Sequence, residues 1–466
     1  MDKDIIRYRN IAVLDLTHAG GIIAKKLASR GFNVTAVDVY STLDSNMMLD
    51  LEEKHDIATS HDPLNVNAFD LLISPTHLDP KYPMLTEARE KSIDIMSHHM
   101  AVGQILSMSN SFDQVTVIEI TGSKAKTSSA SLLAKMLSKN MKVVLHTTRG
   151  LEIWNKGHFK ILHLGLSIAP GSILLAIDII ESIGIDAECY IFEVSLGLTG
   201  QADIGVITTL GPDYRIAAST AKASDSKTEV FKYGNKDEIF FLNAKDKMAI
   251  EAAKEYDRCF FTFITTEEKD IERYPKQNLH LRLEKDNIII EQNEHILSIN
   301  TSTLYDPRSY ITAFAASCSV ASWMGLPYGS ITEAINSFNG LQGRMQEKNI
   351  SNRIMIDNSN SGMDIGSAEQ ALDYAMNKYK ASSSGMIMII GEEASQVCEG
   401  LPPEDVSMFL AKRCRDISKL ILVGSRMQNI CKYSAIHAPG LGYGIEKALE
   451  LSSEKDIIIS CVKCFR

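Results

Sequence analysis

The sequence predicts an α/β protein of about three domains, with Rossmann-like layers at either end and a phosphate-binding domain between them. Three observations carry this. The chain has 466 residues, enough to bury several cores. Short β-branched runs alternate with helical patterns near both ends, at 11–16, 34–37 and 71–73 and again at 353–356, 386–390, 420–423 and 457–460, which is the signature of βα units around parallel sheets. Between them, residues 115–138 read as a buried strand, a tight loop and an amphipathic helix.

In chain order, residues 11–16 open as a strand, the small-residue turn Thr17-His18-Ala19-Gly20-Gly21 leads into a helix ending near Gly31, and the strand at 34–37 closes with Asp38. An acid at the end of the second strand is where dinucleotide folds hold a ribose, but the full glycine fingerprint is absent, so a Rossmann-like layer without a nucleotide is expected. Leu71-Leu72-Ile73 with Ser74-Pro75 forms another strand and turn. His98 and His99 follow Ile95-Met96-Ser97 and are expected on a strand. Neighbours on a strand point apart, so the pair suits packing or substrate contact better than joint metal ligation.

The central stretch begins with Val115, Val117, Ile118 and Ile120 as strand and Leu132, Leu133, Met136 and Leu137 as one apolar helix face. Between them lies Gly122-Ser123-Lys124-Ala125-Lys126-Thr127-Ser128. Small residues let this backbone curl its N–H groups toward one point, the helix adds its positive end, and Lys126 adds a full charge: a phosphate cradle. The alternative is an ordinary strand-to-helix turn with a solvated lysine pair. Downstream, Glu193 ends the apolar run Tyr190-Ile191-Phe192, where α/β sheets place their ligands; it is either a metal ligand or a cap on the strand exit. Apolar runs at 204–209 and 240–242 are further strands, 265–300 reads as small antiparallel strands, and 309–324 as a helix stopped by Gly325-Leu326-Pro327.

The loop resembles the ATP-binding loop of the Mur ligase family, usually TGTNGKT[TS]. Gly122, Lys126 and Thr127 match its first glycine, lysine and hydroxyl, while Ala125 replaces its second glycine, putting a methyl group where the loop nears the phosphates. The resemblance runs along most of the chain. It implies a three-domain architecture: an N-terminal Rossmann-like substrate domain over 1–110, a central ATP-binding domain over 111–342 and a C-terminal Rossmann-like domain over 343–466. It implies ATP and magnesium, with Thr127 and Glu193 as metal ligands. Lys227 falls where the family carries an often carbamylated lysine that supplies a metal ligand; the other reading is a surface helix lysine. Asp213 matches an Asp-His pair, with Tyr214 in place of the histidine, and Phe338-Asn339-Gly340-Leu341-Gln342-Gly343-Arg344-Met345 resembles the second domain junction, with Gly343 in place of another histidine. From there Arg344 is expected to reach the phosphates on closure. Asp357 and Asn360 match a nucleotide-contacting loop of the third domain, while the family's Asn-x-x-Asn element is replaced by Tyr310 and Ala313.

The family's chemistry, phosphorylation of a carboxylate to an acyl phosphate that a nucleophile attacks, is thereby implied, with Lys126, Glu193, Lys227 and Arg344 as its catalytic side chains. TGSKAKTSSASLLAKML, FEVSLGLTGQADIGVITTL and the terminal CVKCFR are similar to a divergent methanogen branch of that family. This implies a nickel tetrapyrrole precursor as substrate, with its own propionate activated and one of its ring carbons as nucleophile. An amide-forming ligase on another acidic substrate, or a non-catalytic descendant that binds nucleotide or tetrapyrrole, are the alternatives.

Composition sets outer bounds. The net charge of −10 argues against a nucleic-acid binder, and 23% charged with 45% hydrophobic residues is ordinary for a globular protein. No apolar run reaches membrane length and the start lacks a signal-peptide core, so a cytoplasmic protein, monomer or homodimer, is expected. Of eight cysteines only Cys461 and Cys464 form a C-x-x-C pair, too few for a four-ligand zinc site, so reduced thiols are expected.

Overall fold

The computed structural model describes residues 4–464 apart from 18, 110–111, 113, 267–277, 285–286, 293–294, 380–384, 394–399 and 431–433. His18, Cys398 and Cys431 therefore lie outside the described residues. The chain divides into two compact units, one made of Met1–Ile299 with Ile311–Ile335 and the other of Asn300–Tyr310 with Asn336–Arg466.

The first unit contains two large sheets and a two-stranded ribbon, Arg215–Ile216 with Ala221–Lys222. Five parallel strands run in the order Ala58–Ser60, Asn33–Val37, Asn10–Leu14, Leu71–Ser74, Asp94–Ser97. The order reverses at Asn10–Leu14, so the crevice beyond its carboxyl end is the place such a sheet offers a ligand. His98 and His99 do not lie on a strand as expected. Ser97 caps the helix His98–Ser107 by accepting from the Met100 N–H at 3.1 Å, and both imidazoles are buried on its first turn.

The second sheet is larger. Its parallel centre runs Phe260–Thr266, Ile239–Asn243, Ile204–Ile207, Thr116–Thr121, Cys189–Glu193, Val143–Thr147. These strands are buried on both faces, which explains their unbroken apolar runs. Leu279–Glu284 extends it in parallel and pairs antiparallel with Asn287–Gln292, so the inserted segment is stitched onto the main sheet rather than standing apart. At the other edge, Gly150–Asn155 and His158–His163 add antiparallel strands.

The helix Lys126–Leu137 is buried on more than the one face its leucines indicated. The helix Ile311–Trp323 covers its other side, and Ser317 Oγ donates to the Ser129 carbonyl at 2.9 Å. Ser128, Ser129, Ala130 and Ser131 are all buried, and their small volume permits this close approach.

In the second unit, strands run Gln346–Ile350, Arg353–Asp357, Ile457–Lys463, Met386–Glu392, Lys419–Val423, Ala435–Ala438. All pairings are parallel except the first, an antiparallel hairpin. Among the described residues no helix is long and apolar enough to cross a membrane.

Candidate active site

Thr116–Thr121 lies between Ile204–Ile207 and Cys189–Glu193, so its carboxyl end is the reversal point of the large sheet. The loop there is held from outside. Ser123 N–H donates to the Thr209 carbonyl (2.7 Å), Ser123 Oγ to the Leu210 carbonyl (2.9 Å), and Thr208 Oγ1 to the Lys124 carbonyl (2.6 Å). Thr208 is in turn fixed by Asn243, whose amide donates to its carbonyl at 3.1 Å. Gly122 has φ +148, and a Cβ there would collide with Thr208 Oγ1, so the backbone demands glycine. Ala125 has φ 67, the left-handed conformation for which the family's glycine is suited. The unmatched residue thus keeps the loop shape at the cost of local strain. Lys126 Nζ donates to the Gly122 carbonyl at 2.9 Å, folded over the loop it would share with a phosphate.

The first turn of the helix meets the neighbouring strand end. Thr127 Oγ1 lies 2.8 Å from each carboxylate oxygen of Glu193, and the Thr148 N–H donates to Glu193 Oε2 at 3.3 Å. Thr127 and Glu193 are both buried. A hydroxyl and a carboxylate converging at a helix N-terminus are hard oxygen donors. This set fits magnesium, which takes one or two carboxylates and completes its shell with phosphate oxygens and water.

Lys227 is not a surface lysine. It is fully buried on the short helix Ala223–Thr228, with Nζ 4.9 Å from the centre of the Tyr214 ring. Asp213 accepts from Ser224 N–H (3.0 Å) and Ser224 Oγ (2.6 Å), and Ser226 Oγ donates to the Leu196 carbonyl (2.6 Å), so the polar run around Lys227 turns inward. Burial pushes the Asp213 carboxyl up, but the Ser224 and Tyr214 bonds and the Lys227 charge outweigh it and hold it below its ordinary value.

Three predicted residues lie in the second unit. Arg344 follows the turn that Asp357 and Asn360 clasp. Asp357 Oδ2 accepts from the Gly343 N–H (3.2 Å) and from Lys348 Nζ (2.6 Å), while Asn360 Nδ2 donates to the Gly343 carbonyl (2.7 Å). Gly343 has φ +73, and a Cβ there would collide with the Ser359 carbonyl, so no side chain, the family's histidine included, fits unstrained in this turn. Tyr310 donates to the Arg344 carbonyl (2.6 Å) and accepts from the Leu341 N–H (2.8 Å). Asp357 and Asn360 thus shape the segment that carries Arg344.

Sequence reasoning missed Thr208, Asn243's bond to it, and Asp246, which accepts from the Leu210 N–H at 2.9 Å. Thr208-Thr209 at the end of an apolar strand was the available signal. It also missed a buried pair beneath the loop. Glu119 is fully buried and accepts from the Thr199 N–H (2.6 Å) and hydroxyl; burial pushes its carboxyl up to about 7 despite those bonds. Glu238 is buried with it and raised well above its ordinary value by burial and by the Glu119 charge.

A Gly–Lys–Thr loop at the reversal point of a parallel sheet, with a carboxylate and a hydroxyl converging beside it, has the arrangement of a nucleotide-phosphate site, and the chain's relatives place it among the Mur-type ATP-dependent ligases. Residues 120–304 match the Mur ligase middle domain, and residues 347–464 match the coenzyme F430 synthetase CfbE, C-terminal domain. Coenzyme F(430) synthetase of Methanosarcina acetivorans is 45% identical over 99% of this chain and 100% of its own, and that of Methanocaldococcus jannaschii 24% identical over 87% and 89%. Crystal structure II of MurF from Acinetobacter baumannii superposes with a TM-score of 0.57 at 12% identity, over 97% of this chain and 90% of that one, and shares the fold. The chain belongs to the coenzyme F(430) synthetase family of Mur-type ligases.

Proposed function

We propose that this enzyme activates a propionate of a nickel tetrapyrrole precursor (the seco-F(430) acid) as an acyl phosphate, and that a ring carbon of the same substrate attacks it to close the cyclic ketone, giving ADP, phosphate and coenzyme F(430). The observation that carries this reading is the 45% identity along the whole length of a coenzyme F(430) synthetase. The chemistry follows from the loop. A carboxylate is a poor electrophile until its oxygen becomes a phosphate leaving group. Backbone N–H groups of 122–128 cradle the phosphates, and Lys126 leaves the Gly122 carbonyl to neutralise the transferring group. Thr127 and Glu193 would hold magnesium, which would supply charge neutralisation for the phosphates. Lys227, carbamylated or free, acts from the Asp213–Tyr214 pocket. Arg344, on the segment shaped by Asp357 and Asn360, would add charge when the C-terminal domain closes, and closure keeps water from the acyl phosphate. We assign domains at 1–110, 111–342 and 343–466, and a cytoplasmic monomer or homodimer.

One observation disfavours a nucleotide-sugar ligase. Asp15 ends the first strand of the five-stranded sheet, 3% exposed, where such folds seat a pyrophosphate. Burial pushes its carboxyl up, but His77 and Thr17 outweigh that and hold it at about 2, so an anion already occupies the turn.

The test is phosphate release from ATP and magnesium, with and without the nickel seco-precursor and with no amine. Precursor-dependent release with a product short by one water is expected. Release only after an amino acid is supplied would assign an amide ligase instead, and no release under any condition would leave a binding protein.

A further inference from the structure

The crevice of the five-stranded sheet holds titratable groups that the ATP site does not use. Asp15 Oδ2 faces His77 Nε2 at 3.5 Å, and Asp15 Oδ1 accepts from the Thr17 N–H at 3.0 Å. His77 comes from the turn after Leu71–Ser74 and is 38% exposed, while Asp15 is buried. The strands that carry them are neighbours, so the pair sits at the reversal point of the sheet. A buried carboxylate turned to one ring nitrogen fixes the imidazole and leaves Nδ1 for a proton. Tyr40, His98 and His99 are the other titratable groups facing this pair, and Asp79 acts on Tyr40.

The turn that carries Asp15 and the strand exit beyond Glu193 are both tied to the start of the helix His98–Ser107. His98 Nε2 bonds the Leu14 carbonyl (3.0 Å), one residue before Asp15, and His99 Nε2 bonds the Ser195 carbonyl (2.7 Å), two residues after Glu193. Two consecutive side chains therefore span from the Asp15 turn to the strand exit of the ATP site.

We infer that His77, oriented by Asp15, is the base that accepts the proton of the carbon nucleophile during ring closure. The inference rests on the cyclisation reading above. In the closing step the ring carbon forms a C–C bond to the acyl carbon, the acyl C–O bond breaks and phosphate leaves with its electron pair, and the proton on the ring carbon passes to His77 Nδ1 and then to solvent. No oxidant or reductant is needed. A second aspartate–histidine pair, Asp38 with His61, lies 3.5 Å apart at the ends of Asn33–Val37 and Ala58–Ser60, toward the opposite edge of the sheet from His98 and His99, with Nδ1 rather than Nε2 facing the carboxylate. It serves as a control.

The experiment uses the full chain with ATP, magnesium and the nickel precursor in single turnover, with hydroxylamine added in parallel to trap acyl phosphate as hydroxamate. In His77→Gln, hydroxamate is expected within about twofold of wild type while ring closure falls by roughly 10²- to 10³-fold, and closure loses the pH limb of the wild type. His77→Ala should regain closure with added imidazole, and His61→Asn should close at the wild-type rate. Closure within about threefold of wild type in both His77 variants, hydroxamate lost in step with closure, or an unchanged pH limb would overturn the assignment of His77. Wild-type enzyme that makes hydroxamate but never a cyclised product would instead overturn the cyclisation reading itself, and the inference with it.

Discussion

Two turns in this molecule share one design and carry opposite charge. In each, a buried parallel strand ends, a residue other than glycine takes a positive φ, and a helix begins: Asp15 (φ 64) before Gly20–Ala28, and Ala125 (φ 67) before Lys126–Leu137. Both helix N-termini offer the same partial positive charge to an anion. The first is answered internally by a carboxylate that Thr17 and His77 hold ionised; the second is followed by a lysine. A helix N-terminus at a reversal point is thus only an opportunity, and the side chain beside it decides whether phosphate comes. The strands differ as well. Asn10–Leu14 buries only apolar side chains, whereas Thr116–Thr121 buries Glu119.

The largest expected effect is at the cationic turn. Lys126→Ala removes the charge that separates it from its counterpart, and precursor-dependent phosphate release should fall by roughly 10³-fold. Release at the wild-type rate would mean that the helix end and backbone suffice, and the contrast between the turns would lose its basis. Next is Glu193→Gln, which keeps the shape beside Thr127 but removes the anion. The magnesium concentration for half-maximal release should rise by about 10- to 100-fold. An unchanged magnesium titration would make Glu193 a cap on the strand exit.

Glu119→Gln probes the strand beneath the loop. In the folded chain burial raises this carboxyl from 4.5 to about 7, so folding favours its protonated form. A raised folded value means its contribution is fully present below 4.5 and is lost as pH climbs through about 7. Glutamine does not titrate. The stability of Glu119→Gln relative to wild type should therefore rise by about 1.4 kcal/mol per pH unit inside that window and level off above it, as read by denaturant unfolding across pH. A flat difference would place Glu119 in solvent contact or show that Glu238 takes the proton instead.

How much of this was legible depends on how local the cause is. The phosphate loop could be read because glycine, lysine and threonine act within seven consecutive residues. Glu193 could be read because an acid ending an apolar strand is conspicuous. The resemblance points to Lys227, but its burial could not be read, because Ala-Ser-Asp-Ser-Lys-Thr looks like surface until Asp213 and Leu196 turn its serines inward. His98 and His99 read as strand because apolar Ile95 and Met96 run up to Ser97 before them, whereas the Ser97 side chain caps a helix through the Met100 N–H three residues on. Asp15 and His77 meet only because their strands are parallel neighbours, a pairing that no local pattern announces. The hairpin 150–163 was hidden because its outer strand is exposed along most of its length and lacks burial-driven alternation.

The smallest expected effect is also the most direct test of the shared design. Ala125→Gly relieves a left-handed alanine, worth about 1–2 kcal/mol, but loosens the unfolded chain by about 0.5–1 kcal/mol, so a net gain of about 0.5–1 kcal/mol is expected in equilibrium unfolding. Activity should be kept, because the loop's shape is set by Gly122 and by the Thr208 bonds rather than by position 125. If stability falls instead, alanine is not strained there, and the positive φ it shares with Asp15 is a relaxed feature of the turn. In that case the two turns differ in charge alone, and the loop's departure from glycine carries no cost that the rest of the fold must offset.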